Sequence, residues 1–356
     1  MARMTLSGID QLADAEVARW NALLESAVPV KSAFLSYDFA RAVNDVRGGV
    51  SVIHIQSDGG EEGFLPFQIR RGRKLLGHAE KVAGGMSDFF GVVGNLTGPL
   101  DAGALLRAAG LSAFRFDHAV GALCPFAFED AERSQGARLV VDDFEQFKAG
   151  LLISNKKFVQ SVLSRERRLA AELGEIVFRW HAQEPAVALD QLITAKRNQY
   201  RRTGVADSFK TTWHRALLDR LLRTPMPACT AIVSTLHAGG QWIGSKYGLI
   251  CGDTLHSWFS VYDPQHRRHG PGHLVWFKTL EEGLRRGIRV FDFGEGDSNY
   301  KREYGGTSYD VFKGAIRLDT LRGQSERVLQ SIAWRLERAG RHGPEPAAEI
   351  VKGRDA

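Results

Sequence analysis

The stretch "HSWFSVYDPQHRRHGPGHLVWFKTLEEGLRRGIRVFDFG", residues 256–294, combines a strand pattern, a basic glycine-rich loop, an amphipathic helix pattern and a second strand pattern. Strand, helix and strand in this order can form a right-handed crossover between two parallel strands. Apolar groups occupy both faces of the second strand, "IRVFDFG", as in an interior strand of a sheet. The stretch therefore predicts an α/β protein.

The loop inside this unit has the form Arg267-x-x-Gly270-x-Gly272. Glycines let the backbone approach a ligand closely, and the first helical turn has N–H groups without intrahelical acceptors. Arg267 and Arg268 add charge-assisted donors suited to phosphate, and Pro271 is well tolerated at a helix start. The loop predicts an anion site.

Two common phosphate motifs do not fit this loop. A Walker loop needs Gly-Lys followed by Ser or Thr, whereas His273 follows Gly272. A dinucleotide fingerprint needs a third glycine three positions later, and the residues around Trp276 supply none. The later "FGEGDSNY" contains only G-x-G, which is a weak signal.

The rest of the chain alternates short strand and helix patterns. "VSVIHIQ" and "FLPFQIR" read as strands around a turn, and helix signals surround them, including one after a cap at Asp10. A second series starts near Ser154 with a basic helix, "SNKKFVQSVLSRERRLAAELG". That helix would attract acidic substrates or be a solvated face. After Arg341 the composition predicts a disordered tail.

Composition limits the possible environments and partners. The 356 residues carry a net charge of +6, which suits an anionic ligand, a nucleic acid or an acidic membrane surface, or marks only a basic solvated face. Three cysteines (Cys124, Cys229 and Cys251) form no CxxC pair, so we expect neither a metal site nor a disulfide framework. The sequence shows neither a signal peptide nor a membrane-spanning run. We therefore expect a cytoplasmic protein.

The loop and its surroundings resemble a known superfamily. Arg-x-x-Gly-x-Gly between a strand and an amphipathic helix is similar to the pyrophosphate loop of GNAT acyltransferases. The segment "YDPQHRRHGPGHLVWFKTLEEGLRRGIRVFDFGEGDSNYKREYG" looks like the acetyltransferase family of CelD/BcsL-type cellulose-biosynthesis proteins, which is related to FemAB. "KRNQYRRTGVADSF" and "GGMSDFFG" also resemble family segments.

The resemblance implies a fold and a domain plan. It implies an α/β (α+β) protein of two GNAT-like lobes, each with a mixed central sheet flanked by helices. We expect lobes over 1–148 and 149–322, a C-terminal helix over 323–340 and a tail over 341–356.

The resemblance also implies a cofactor and its contacts. Acetyl-CoA or another acyl-CoA would be the co-substrate, with no metal. Its pyrophosphate would lie on the loop and its pantetheine arm along the preceding strand. The residues assigned to these contacts are Arg267, Arg268, His269, Gly270, Pro271, Gly272 and Tyr262.

Acyl transfer needs a base, and protonation of the leaving thiolate helps. Glu295 follows the buried strand between two glycines and is the candidate base, or else an acidic turn residue. Asp292, within that strand, is a second catalytic candidate or a structural carboxylate that orients the loop or pairs with an arginine. Tyr304 and Tyr300 are candidates for protonating the thiolate, and each would also fit ordinary packing.

Other polar residues are candidates for acceptor binding, each with a structural alternative such as an ion pair or a solvated position. They are Asp88, Tyr200, Arg201, Lys246, Asp297, Tyr300 and Lys301, with His256 and His269 as candidate proton relays. Lys246 is unusual because it interrupts an apolar strand, so it indicates either a site or an internal ion pair.

These features predict an acyl-CoA-dependent N- or O-acyltransferase. Direct attack by an amino sugar, a nucleotide-linked sugar or a polysaccharide hydroxyl follows from the resemblance alone. Two alternatives are a FemAB-like transferase that uses aminoacyl-tRNA and a non-catalytic accessory protein of polysaccharide biosynthesis. The Arg-x-x-Gly-x-Gly loop favours CoA over tRNA, so no specific nucleic acid is predicted.

Overall fold

A computed structural model describes residues 2–70, 72–127, 131–296 and 299–339, apart from the side chains of 299–300, 330 and 332–339. Its strands are β1 (Arg3–Gly8), β2 (Val50–Gln56), β3 (Glu62–Ile69), β4 (His78–Lys81), β5 (Val93–Gly94), β6 (Ala113–Val120), β7 (Glu132–Val140), β8 (Ile176–Arg179), β9 (Thr230–Ala238), β10 (Gln241–Cys251), β11 (Thr254–Tyr262), β12 (Val290–Glu295) and β13 (Thr307–Arg317). Its α-helices are α1 (Asp14–Ser26), α2 (Tyr37–Arg47), α3 (Ala102–Ala108), α4 (Phe144–Ser154), α5 (Lys156–Leu173), α6 (Pro185–Thr203), α7 (Thr212–Arg223), α8 (Pro271–Arg285), α9 (Asn299–Glu303) and α10 (Leu321–Ala339).

The strands of the described residues form one mixed sheet, in the order β1-β2-β3-β4-β6-β13-β7-β12-β11-β10-β9-β8, with β5 beside β3. The predicted crossover is confirmed, because β11 and β12 are parallel and α8 connects them. A second parallel crossover, from β4 through α3 to β6, lies in the first half of the chain. The predicted fold class, a mixed sheet flanked by helices, is confirmed.

The two halves of the sheet exchange their last strands. β7, from the first half of the chain, pairs with β12 and β13, whereas β13, from the second half, pairs with β6 and β7. Each half thus completes its sheet with a strand from the other half. The division into lobes at residue 148 stays a prediction, since the sheet runs across it.

One hydrophobic core is shared by the two halves. Trp20 and Phe39, from α1 and α2, belong to the same buried cluster as Leu189 and Leu217, from α6 and α7. A second cluster packs α5 and α8 on the sheet, and a third surrounds α3 and β6. The shared core and the continuous sheet hold the halves in a fixed relation.

Two local predictions differ from the structure. Asp10 lies in a separate 3-10 turn, because buried Ile9 anchors that turn and Leu12 is extended, so α1 begins only at Asp14. A helix that the sequence reading did not predict, α4, precedes the basic helix, and the Asp143 side chain caps it by accepting the Gln146 N–H.

No helix within the described part of the chain is long and apolar enough to cross a bilayer. The predicted tail, 341–356, lies outside the described residues.

Candidate active site

The site is built where β11 and β12 stop pairing. Their parallel ladder covers only three residue pairs and ends with His256 opposite Asp292. Beyond this pair β11 continues to Tyr262 along β10, and β12 instead pairs with β7 at Glu295. The edge of β11 that faces β12 therefore has backbone groups available to a ligand.

A cavity of about 590 Å³ opens at this gap. It is lined from the first half of the chain by Asp88 and His118 and from the second half by residues of α6, β11, β12 and α9. The second set is Lys196, Ser257, Trp258, Ser260, Phe293, Gly294, Glu295, Gly296 and Lys301. A polar cavity formed by both halves, at the carboxyl ends of parallel strands, is the candidate active site.

His256 lies between two carboxylates at the base of this gap. Its Nε2 is 3.1 Å from Asp88 Oδ2, and its Nδ1 is 3.1 Å from Asp292 Oδ1. Burial opposes the imidazolium, but Asp292 and Asp88 outweigh it and raise the pKa of His256 to about 9. At neutral pH a buried cation thus connects the two halves of the chain. Asp292 pairs with this histidine and also accepts the Gly294 N–H.

Glu295 lines the cavity and is held by polar side chains from the first half of the chain. His118 Nε2 lies 2.9 Å from its carboxylate, and the Ser134 hydroxyl donates to it. The pKa of Glu295 is lowered to about 2, and the hydrogen bond with His118 is the largest cause. His118 in turn contacts Asp117, which pairs with Lys81. The Glu295 carboxyl is therefore ionised at neutral pH, and its low pKa makes it a weak proton acceptor.

His118 has an imidazole, a common acid–base group in enzymes, and an unusual backbone conformation. Its φ is +53°, in the left-handed region that costs free energy for residues other than glycine. Burial lowers its pKa, but hydrogen bonds to Asp117 and Glu295 outweigh burial, so the net pKa is raised. The strained backbone places the His118 ring at the cavity wall, where it contacts Glu295.

Lys196 of α6 brings an amine to the same cavity. Burial lowers its pKa, and its Nζ lies 5.3 Å from the ring centroid of Tyr200. Tyr200 is partly buried against the shared core, and burial raises its pKa. Arg201, next in the helix, is exposed and donates to Asn198. Lys196 lines the cavity, whereas the predicted residues Tyr200 and Arg201 are not among the described residues that line it.

The predicted anion loop forms a 3-10 turn over Pro264–His269 followed by α8. Gly270 precedes the helix at φ +58°, and a Cβ built there would lie 2.8 Å from Arg165 Nη1 of α5. The Gly272 N–H has no acceptor in the described residues, and a Cβ built on Gly272 would meet open space. The helix start thus has an N–H at Gly272 without an acceptor in the described residues and an arginine against the preceding Gly270.

Neighbouring side chains of the loop are engaged by α5. Arg268 Nη2 is 2.5 Å from Glu172, and the buried His269 Nε2 is 3.1 Å from the same carboxylate. The Arg267 carbonyl accepts the Gly270 N–H, which closes the turn. The Arg268 side chain therefore anchors the loop.

Two residues downstream of β12 have structural contacts. Lys301 Nζ donates to the carbonyls of Gly294 and Glu295, at 2.9 and 2.7 Å, and so holds the end of β12. Tyr304 is buried among the aromatic rings of the α5–α8 cluster, with its hydroxyl 3.4 Å from His273 Nδ1. Tyr304 is not among the described residues that line the cavity.

Lys246 is buried beneath α8 without an ion pair in the described structure. Its side chain is 1% exposed, and its Nζ has no hydrogen-bond partner. It lies 3.0 Å from the centroid of the Trp276 ring, and burial lowers its pKa well below the usual value. Its strand partner is Ser260, which lines the cavity. An internal ion pair, one of the two predicted explanations, is not observed.

The geometry thus brings together Asp88, Asp292 and Glu295 with His256, and keeps Tyr304 and Lys246 in the adjoining core. Asp297 and the Tyr300 side chain lie outside the described residues. No cluster of potential metal ligands occurs among the described residues.

Sequence reasoning missed His118 and Lys196. His118 follows Asp117 near the carboxyl end of β6, the parallel partner of β4, and so obeys the rule that indicated Glu295 after β12. Lys196 was part of a quoted family segment but has no distinguishing local pattern.

Comparison with protein families gives one match. Residues 157–302, from α5 to α9, match the family described as acetyltransferase (GNAT) domain. The match covers the segment that contains β11, the glycine loop, α8 and β12, so this part of the chain is similar to a GNAT-type acetyltransferase domain. No curated protein matches the chain in sequence.

Solved structures show the same fold at low identity. FemX is similar over 83% of this chain and 95% of its own, at 11% identity and a TM-score of 0.55. The C-terminal domain of a protein described as a lysylphosphatidylglycerol synthetase, from Agrobacterium fabrum, is similar over 92% and 96%, at 13% identity and a TM-score of 0.50. A tandem GNAT protein from clavulanic acid biosynthesis is similar over 89% and 98%, at 14% identity and a TM-score of 0.46.

Proposed function

We propose that this protein is an acyl-CoA-dependent transferase that moves an acetyl or other acyl group to an amine or hydroxyl in the cavity. The observation that carries the proposal is the gap between β11 and β12 beyond His256 and Asp292. β11 leads from this gap directly into the glycine loop and α8, so one continuous segment offers both a strand edge and a helix N-terminus. The GNAT match over 157–302 supports this assignment.

The residues around the loop fit a CoA pyrophosphate. The Gly272 N–H, which has no acceptor in the described residues, would supply a donor for phosphate, and the Arg165 guanidinium against Gly270 would supply a positive charge. Arg267 would add a second guanidinium, whereas Arg268 and His269 would hold the loop through Glu172. The pantetheine amides would pair with the β11 edge as far as Tyr262.

Acyl transfer would proceed by direct attack. The acceptor nitrogen or oxygen would bond to the thioester carbonyl carbon, the C–S bond would break, and the CoA thiolate would leave and take up a proton. Backbone N–H groups on the open edge of β11 are suited to stabilise the carbonyl oxygen as it becomes negative.

The two carboxylates that line the cavity, Asp88 and Glu295, would have different roles in the reaction. Glu295, the base predicted from the sequence, has a pKa of about 2 and is a weak proton acceptor. We propose Asp88 as the proton acceptor because it lines the cavity and is oriented by His256. Glu295 would bind and orient the acceptor through its fixed charge. Asp292 would be a positioning residue, because it holds His256 and the Gly294 turn.

An amino sugar, a nucleotide-linked sugar or a polysaccharide end is the proposed acceptor class. The CelD/BcsL resemblance suggests this class, and a lining that mixes carboxylates, an amine and the hydroxyls of Ser257 and Ser260 suits a polyhydroxylated amine. A CoA thioester donor would place the reaction in the cytoplasm.

The test is a thiol-release assay with acetyl-CoA and a panel of amino sugars and sugar nucleotides. Mass spectrometry of the acceptor should show acylation together with CoA release. Parallel reactions with aminoacyl-tRNA address the FemAB-like alternative. Transfer from charged tRNA with none from any acyl-CoA would replace the proposal.

A further inference from the structure

Two leucines on one face of the molecule are almost completely exposed. Leu75 is 90% exposed and Leu321 is 93% exposed. Both line a shallow cavity of about 470 Å³ that shares no lining residue with the candidate active site. Single exposed leucines are ordinary on protein surfaces, but two at one concave place form a patch that indicates a binding surface.

The helix that carries Leu321 has an unusual orientation. Among the described side chains of α10, Gly323 and Glu326 are buried, and Glu326 lies 3.0 Å from Arg70. Leu321 and Val328, seven residues apart and so on one helical face, are exposed. A surface helix of a globular protein normally buries its apolar residues, whereas Leu321 and Val328, in the described first turns of α10, face outward.

Basic side chains flank the exposed leucines. Lys74 and Arg322 are exposed, line the same cavity and form no ion pair in the described part of the chain. Arg70 is different, because Glu80 and Glu326 neutralise it. Exposed leucines between unpaired cations match an anionic bilayer, with leucines at the acyl boundary and cations at the headgroups.

We propose that this surface, formed by Lys74, Leu75, Leu321, Arg322 and Val328 and named the α10 patch, docks the protein on an anionic phospholipid bilayer. The charges argue against a second copy of the chain as occupant, since two copies of the patch would bring like charges together. A nucleic acid would use the cations but would leave the leucines without a role.

The test is co-sedimentation with vesicles of phosphatidylcholine, alone or mixed with phosphatidylglycerol. We expect binding to the mixed vesicles that weakens as salt rises. The double variant Leu75→Ser/Leu321→Ser should lower the partition coefficient about tenfold or more, because each leucine loses its insertion into the acyl boundary. Lys74→Gln/Arg322→Gln should lower binding to the mixed vesicles only.

The matched control is Val187→Ser on α6, which removes another exposed apolar side chain, 61% exposed, outside the patch. It should bind vesicles as the wild type does, and unfolding midpoints should confirm that all variants are folded. The proposal is overturned if the leucine variant binds vesicles normally or if no vesicle binds. It is also overturned if the patch variants change only the oligomeric state without lipid or only the binding of an oligonucleotide.

Discussion

His256 Nδ1 lies 3.1 Å from Asp292 Oδ1, and the two residues form the last parallel pair between β11 and β12. Asp292 also accepts the Gly294 N–H at 2.7 Å and the Tyr309 hydroxyl at 3.1 Å. This pair marks the point where the sheet ends and the candidate site begins. The contacts of Asp292 explain why a carboxylate lies among the apolar residues of β12.

The stability of the protein should depend on pH through His256. The pKa of His256 is raised from about 6.5 in the unfolded chain to about 9 in the folded one. The resulting stabilisation is fully present below pH about 6.5 and is lost as pH rises through about 9. The shift corresponds to roughly 3 kcal/mol at most.

The measurement compares urea unfolding of the wild type and His256→Gln across this pH range. The difference in the free energy of unfolding should shrink as pH rises through the upper part of the range. A difference that stays constant would show that His256 is not charged in the folded protein.

Gly272→Val should separate CoA binding from folding. The new side chain would meet open space in the unliganded protein, and valine is a better helix former than glycine, so stability should not fall. Its bulk beside the free N–H should weaken acetyl-CoA binding at least tenfold. Gly150→Val, at an equally open glycine within α4, is the control and should bind normally. If Gly272→Val and Gly150→Val bound acetyl-CoA with equal affinity, the phosphate site would lie elsewhere in the protein.

Asp88→Asn and Glu295→Gln should have different kinetic effects. Loss of the proton acceptor in Asp88→Asn should lower kcat about a hundredfold or more. Glu295→Gln should mainly raise KM for an amine acceptor, because it removes the fixed charge that binds the ammonium. Both variants should retain acetyl-CoA binding. A Glu295→Gln enzyme with normal KM and a greatly lowered kcat would return the base role to Glu295.

Replacing Lys246 with methionine should stabilise the fold. Its buried amine has no hydrogen bond, so an apolar side chain of similar size removes an unsatisfied group, worth about 1–3 kcal/mol. Lys301→Met is the contrasting control, because it leaves two carbonyls at the end of β12 unpaired and should destabilise the protein. Chemical denaturation measures both effects. A less stable Lys246→Met protein would show that the contact with Trp276 outweighs the cost of burial.

Local patterns predicted the crossover and the glycine loop because both depend on short-range features. A strand pattern between turn signals defined β11, apolar groups on both faces defined β12, and the position of Pro271 beside Gly270 defined the start of α8. The loop was placed by the same features, since its two glycines are only two residues apart in sequence.

The contacts across the site depend on topology and could not be predicted from local patterns. Asp88 and His256 are 168 residues apart, and only the packing of the two halves brings them together. The strand exchange that carries β7 to the edge of β12 has no sequence signature, so Ser134 beside Glu295 was not foreseen. The low pKa of Glu295 follows from His118, which also comes from the first half.

The central claim, that the gap between β11 and β12 and the loop before α8 bind an acyl-CoA, is tested most directly by titration calorimetry with acetyl-CoA. The account predicts saturable binding of one acetyl-CoA per chain, competition by free CoA, and weaker binding to Gly272→Val than to Gly150→Val. Absence of binding at millimolar acetyl-CoA by a folded wild-type protein would contradict it.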